Sequence, residues 1–212
     1  MIERIDEAVH EAIAEFRIDG IRSTKKKSKK KWWLIGIAFL VVLGAGGGYW
    51  AYRMYSINHS PRVLLQKGLL AQKSGRSAIA ISYYNQVIAA DPSNKGNYAT
   101  YAYYNLGVEY MSSGKSVAAL RYYSSAIQSD PTYLPALFNL AVGETSTNPT
   151  VAIADYNKIL ALAPHNADTL FNAGLLNEQL GNVKLAISLV KEAISYDPSL
   201  ATRVPASFPL HT

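Results

Sequence analysis

No cysteine occurs in the sequence, which excludes disulfides and thiolate-ligated metal centres. The four histidines, His10, His59, His165 and His211, are scattered along the chain, and no two stand at a metal-binding spacing. No nucleophile is paired with a base at readable spacing either. Gly114-Lys115-Ser116 matches the end of a P-loop, but Glu109 stands where the first glycine belongs and no strand precedes it. The chain is therefore read as a non-enzyme with no cofactor and no metal. Positive charge is equally restricted. Residues 1–31 carry nine Lys and Arg against six Asp and Glu, Arg53 stands alone, and residues 61–212 carry eleven against nine. Six lysines between Lys25 and Lys31 form the dense basic run, too short and too local to make nucleic acid the expected partner.

Charge is missing altogether from Trp32 to Tyr52, a stretch of 21 residues. As a helix it spans roughly 31 Å, the thickness of a bilayer's hydrocarbon core. Trp32 and Trp33 at one end and Tyr49, Trp50 and Tyr52 at the other suit the headgroup level. The spacing predicts a transmembrane helix over 32–52 and a single-pass protein. The lysines before it place the N-terminus in the cytoplasm and everything after Arg53 outside, across a bacterial inner membrane or a plasma membrane. The competing reading is a cleaved signal peptide that frees a secreted module; the 31 residues ahead of the apolar block are long for its charged region. Gly44 and Gly48 form a GxxxG pair, with Gly36 near the same face. They are candidates for close helix packing in a homo-oligomer.

Before the anchor, Ile2, Ile5, Val9, Ala12, Ile13 and Phe16 recur at helical spacing, and Gly20 supplies a stop. Residues 1–20 are expected to form a cytosolic amphipathic helix. Its acidic polar side, Glu3, Glu7, Glu11 and Glu15, suits a protein surface better than an anionic bilayer. Residues 21–31 then form a basic juxtamembrane segment, and 53–60 a linker.

Beyond Ser60 the chain repeats itself. Asp91-Pro92, Asp130-Pro131, Ala163-Pro164 and Asp197-Pro198 recur at proline spacings of 39, 33 and 34 residues. Each follows an apolar-periodic stretch that proline stops. Upstream of these lie "LLQKGLLAQKSG", "YYNLGVEYMSSG", "LFNLAVGETSTN" and "LFNAGLLNEQLG", a second helix per unit, three of them ended by Gly75, Gly114 and Gly181. The third unit lacks that glycine and is one residue short. Five extra residues around "SNKGNYATY" separate the first two units, and they either lengthen a helix or form a loop.

This pattern resembles the tetratricopeptide repeat, a 34-residue helix-turn-helix. The resemblance implies an all-α solenoid of four units over 61–198, at about 61–94, 100–133, 134–166 and 167–200. Its small positions fall on Gly68, Gly107, Ala141 and Gly174 in the first helices and on Ala80, Ala119, Ala152 and Ala186 in the second. Its large positions fall on Tyr84, Tyr123, Tyr156 and Val190. The family's first helices line a groove for peptide or helical segments of protein partners. The matching residues here are Leu65, Leu69, Tyr101, Tyr104, Asn105 and Val108, continued by Phe138, Asn139, Val142, Phe171, Asn172 and Leu175. Some members clamp a carboxylate with lysine and asparagine, but the clamp places here carry Leu, Tyr, Phe and Val. The groove is accordingly expected to take amphipathic helices or extended hydrophobic segments. The tail 199–212 is rich in proline, so Leu200, Val204, Phe208 and Leu210, or another subunit, must cover the last apolar face. Taken together, the sequence describes a membrane-anchored adaptor or scaffold, with a structural homo-oligomer as the alternative.

Overall fold

The computed structural model describes residue 44 and residues 46–209. The expected cytosolic helix, the basic segment, most of the 32–52 stretch, Gly36 and Leu210 lie outside the described residues. The described residues fall in two units that divide between residues 58 and 59. Of the first, residues 46–58 are helical, so the expected linker is a helix through residue 58. Among the described residues no helix is long and apolar enough to cross a membrane.

Among the described residues the second unit holds eight α-helices in four antiparallel pairs: α1 (Pro61–Lys73), α2 (Ser77–Ala90), α3 (Tyr98–Ser112), α4 (Ser116–Ser129), α5 (Leu134–Glu144), α6 (Pro149–Leu162), α7 (Ala167–Gln179) and α8 (Val183–Tyr196). A 3₁₀ segment, Pro198–Arg203, follows. Each helix packs on its neighbours in the chain, as a solenoid requires.

Local chemistry sets the corners. After α1, α3 and α7 the glycines 75, 114 and 181 adopt φ values of +69°, +73° and +82°. In each case the glycine N–H and the next N–H donate back into the last turn, as with Gly75 to Gln72 and Arg76 to Ala71, both 2.9 Å. These are Schellman turns, which need a residue free of a Cβ in the left-handed region. The third pair does without one: Asn148 N–H donates to the Glu144 carbonyl at 2.8 Å, and Pro149 opens α6. Its first helix is correspondingly the shortest, 11 residues against 13 to 15. The extra residues between the first two units form a loop pinned by Asn94. That residue is left-handed at φ 49°, and its amide donates to Thr100 Oγ1 at 2.8 Å and to the Ser129 carbonyl at 3.2 Å.

Packing within each pair rests on one juxtaposition. Tyr84, Tyr123, Tyr156 and Val190 from the second helices are at most 2% exposed. Tyr84, Tyr123 and Val190 lie against Gly68, Gly107 and Gly174 of the first helices, and Tyr156 shares a buried cluster with Ala141. A Cβ placed on Gly68 would stand 2.6 Å from Tyr84 Cε1, and one on Gly174 2.7 Å from Val190 Cγ2; at Gly107 the Tyr123 ring leaves still less room. The small residue is thus a seat for the large one, and it fixes how near the two helices come.

The last repeat is covered by the chain itself. Leu200 and Phe208 are buried at 1% and 7% exposure in a cluster with Leu170, Phe171 and Val190, with Val204 packed at its edge. Prolines prevent a regular capping helix here, and the 3₁₀ turn and extended tail cover the face instead.

Gly107→Val should cost about 3 kcal/mol of stability, because the buried Tyr123 ring has nowhere to go. Urea unfolding of the two chains side by side measures it; an unchanged midpoint would show that this pair is loosely seated.

Candidate protein-binding groove

The first helices present one face that is not consumed by packing. On it two clefts, about 260 and 510 Å³ in volume, meet at Tyr104 and Asn139, which border both. The smaller is floored by Leu134, Pro135 and Phe138 and reaches Asn166 and Asp168 at its far rim. The larger runs along Val108, Met111 and Val142. No lysine or arginine lines either cleft.

Tyrosine gives the groove its shape. Tyr133 stands edge-on to both Tyr101 and Tyr104, with ring centres 5.5 Å apart in each case and interplanar angles of 75° and 81°. Tyr104 in turn leans on Tyr123 at 5.9 Å. Such tilted contacts place ring edges against ring faces and hold the cluster in one geometry. Proline and a local turn position Tyr133: Asp130 accepts hydrogen bonds from Thr132 N–H at 2.9 Å and from its hydroxyl at 2.7 Å, so the chain turns just ahead of α5.

The expected groove residues divide into groups. Tyr104, Val108, Phe138, Asn139 and Val142 line the two clefts, and Tyr101 joins through its contact with Tyr133. Leu69 is 43% exposed at the first unit, while Leu65 and Leu175 pack partly into the core. Asn105 and Asn172 turn back on their own helices, donating to the Tyr101 and Asp168 carbonyls at 2.7 and 2.8 Å. Asn139 instead points across to the neighbouring unit, 3.5 Å from the Tyr104 hydroxyl. Phe171 departs from the expectation. It is only 2% exposed, because the C-terminal tail packs on it and the Arg203 guanidinium sits 5.2 Å from its ring centre. Sequence reading passed over Tyr133 and Asn166, which lie in connections, and Met111 and Asp168, which continue the periodic stripe at helix ends.

Burial raises the phenols of Tyr133, Tyr123 and Tyr156. It pushes the Tyr133 hydroxyl up to about 12, with Tyr104, Tyr101 and Asp130 adding to the effect. Tyr123 is also raised by burial, with a hydrogen bond from Asn139 opposing and Tyr104 reinforcing. Tyr156 is raised to about 12 by burial. At neutral pH the groove thus offers hydroxyl and amide donors, aromatic faces and a single carboxylate at its edge. These are groups that bind by hydrogen bonding and ring contact.

Tetratricopeptide-repeat profiles match residues 61–94, 100–133 and 145–201. Among solved structures, one of the MamA protein is 24% identical with a TM-score of 0.58, covering 67% of this chain and 75% of that one. A tetratricopeptide repeat protein from Parabacteroides merdae is 26% identical with a TM-score of 0.58, over 65% of this chain and 54% of that one. The first repeat domain of Spaghetti (RPAP3), bound to the HSP90 peptide SRMEEVD, is 23% identical with a TM-score of 0.51, over 57% and 96%. No curated protein matches.

Since the folded chain holds protons on Tyr133 and Tyr156 between their ordinary value of 10.0 and about 12, these groups favour folding fully below pH 10. Their contribution falls as pH rises towards 12. Tyrosinate absorbance should show a late-titrating group of phenols that merges with the rest once the chain is unfolded in urea. Uniform titration near 10 in the folded chain would contradict the burial argument.

Proposed function

The chain belongs to the tetratricopeptide-repeat family, and from that premise we propose that it is a membrane-anchored adaptor whose groove holds a segment of a partner protein. The observation that carries this reading is the pair of clefts meeting at Tyr104 and Asn139. Together they are long, tyrosine-walled and free of lysine and arginine. An amphipathic helix or an extended hydrophobic segment of an envelope or exported protein suits such walls. The peptide-bound relative has the same fold, which supports occupation of this groove by a peptide. It does not carry over that peptide's acidic character, for which these clefts lack a basic partner.

Anchoring rests on the uncharged stretch from Trp32 to Tyr52. In its described part, Tyr49, Trp50 and Tyr52 are 50–71% exposed, as side chains meant for lipid headgroups would be in a structure without lipid. The lysines at 25–31 favour a cytoplasmic N-terminus, with the repeats on the other side. A second reading is self-association of the anchor through Gly44 and Gly48, whose four-residue spacing puts them on one face of a helix.

Tyr104→Ala should weaken binding of a labelled amphipathic peptide by roughly tenfold, while Val117→Ala, at a 71% exposed position on α4, should leave it unchanged. Fluorescence anisotropy distinguishes them, and equal affinity in both variants would remove the groove from consideration. In spheroplasts, added protease should digest the repeats and spare the N-terminus; the reverse pattern would invert the proposed orientation. If the anchor self-associates, Gly44→Leu with Gly48→Leu should convert oligomer to monomer in detergent sedimentation.

A further inference from the structure

The chain's own tail shows how this groove holds a side chain. Phe171, Phe138 and Tyr104 are register equivalents, each three residues before the small residue of its first helix. At the last unit that position is already taken: Phe171 is covered by Arg203, whose guanidinium lies 5.2 Å from the ring centre and 3.2 Å from Asp168 Oδ1. Phe138 and Tyr104, one and two units along, border the open cleft. Asp168 belongs to both places, since it pairs with the tail and also forms the rim of that cleft. The Arg203–Asp168 pair is more than half exposed on both sides, so it is worth roughly fivefold at most in an equilibrium constant. An arginine from elsewhere can replace it.

Resting on the groove reading above, we propose that the partner segment is extended and carries an arginine flanked by apolar residues. The apolar residues lie against Tyr104 and Phe138, and the arginine takes Asp168 from Arg203. Charge complementarity argues for a cation, because the clefts contain no lysine or arginine and their rim holds one carboxylate. Arginine fits better than lysine, as its planar head stacks on a ring while bonding a carboxylate, which is the arrangement Arg203 already adopts. The tail, seated as a 3₁₀ turn and irregular chain, is then the resident competitor for one end of the groove.

The test uses the full chain in detergent and a labelled synthetic peptide, SLATRVPASF, copied from residues 199–208. Arg203→Ala in the protein should tighten peptide binding by about threefold, and Asp168→Asn should weaken it by a similar factor. A peptide with glutamate in place of its arginine should bind more weakly still, and circular dichroism should show each variant folded. The proposal is overturned if the glutamate peptide binds as well as the arginine peptide, if Arg203→Ala leaves affinity unchanged, or if the peptide binds neither chain. The groove reading is judged separately, by whether Tyr104→Ala weakens an amphipathic peptide without arginine. Loss there with no arginine preference here would retain the groove and discard the cation.

Discussion

Everything in the repeat domain depends on how closely the two helices of a pair can approach, and that distance is set where a large side chain meets a residue with almost none. Tyr84 on Gly68, Tyr123 on Gly107 and Val190 on Gly174 are three versions of one contact. A buried ring offers a great deal of apolar area, but only if the opposite backbone comes near enough to cover it. Glycine in a helix is locally unfavourable by about 1 kcal/mol, and burial of the facing ring offsets this. The third pair has Ala141 at the matching place, in one buried cluster with Tyr156, a shorter first helix and a turn made by Asn148 and Pro149. Helix length and corner chemistry change together there.

With the large residues of the second helices committed to this seat, the first helices keep one face free of packing, and the groove is that face. Its aromatic residues are not spare core. Tyr101, Tyr104 and Tyr133 brace one another edge to face, which holds phenol rings at a surface where single exposed tyrosines would rotate. Burial raises the Tyr133 and Tyr123 hydroxyls above their ordinary value, and the groove donates hydrogen bonds with Asp168 as the carboxylate at its edge. The solenoid's last face is treated differently from the groove. Leu200 and Phe208 close it from within the chain, and in doing so they also remove Phe171 from the groove.

Much of this was legible in one dimension. Four helix pairs could be placed from the recurring Asp-Pro and Gly signals, because proline ends a helix wherever it falls and a left-handed corner selects glycine. The small and large seats followed from the repeat register, since every unit solves the same packing problem. Six of the groove residues, Tyr101, Tyr104, Val108, Phe138, Asn139 and Val142, were reachable by the same register. Tyr133 was not, because it lies in a connection, where a periodic stripe says nothing; Met111 and Asp168 stand on the stripe, three residues after Val108 and three before Phe171, but at helix ends, where only the fold shows whether a residue borders the cleft. Asn105 and Asn172 share the register of Asn139 yet bond back to their own helices, a choice the neighbouring unit makes.

The sequence by itself determined the helices, their pairing and the direction in which each buries its apolar side, since these depend on residues a few positions apart in the chain. It also determined the charge-free stretch between Trp32 and Tyr52 and the basic run before it. Tertiary structure alone decided which tyrosines became a groove wall, that the extra residues after α2 became a loop tied to Ser129, and that a proline-bearing tail covered Phe171 and paired Arg203 with Asp168. These are contacts between residues about 35 positions apart, and they exist only once stacked repeats bring distant segments to the same surface.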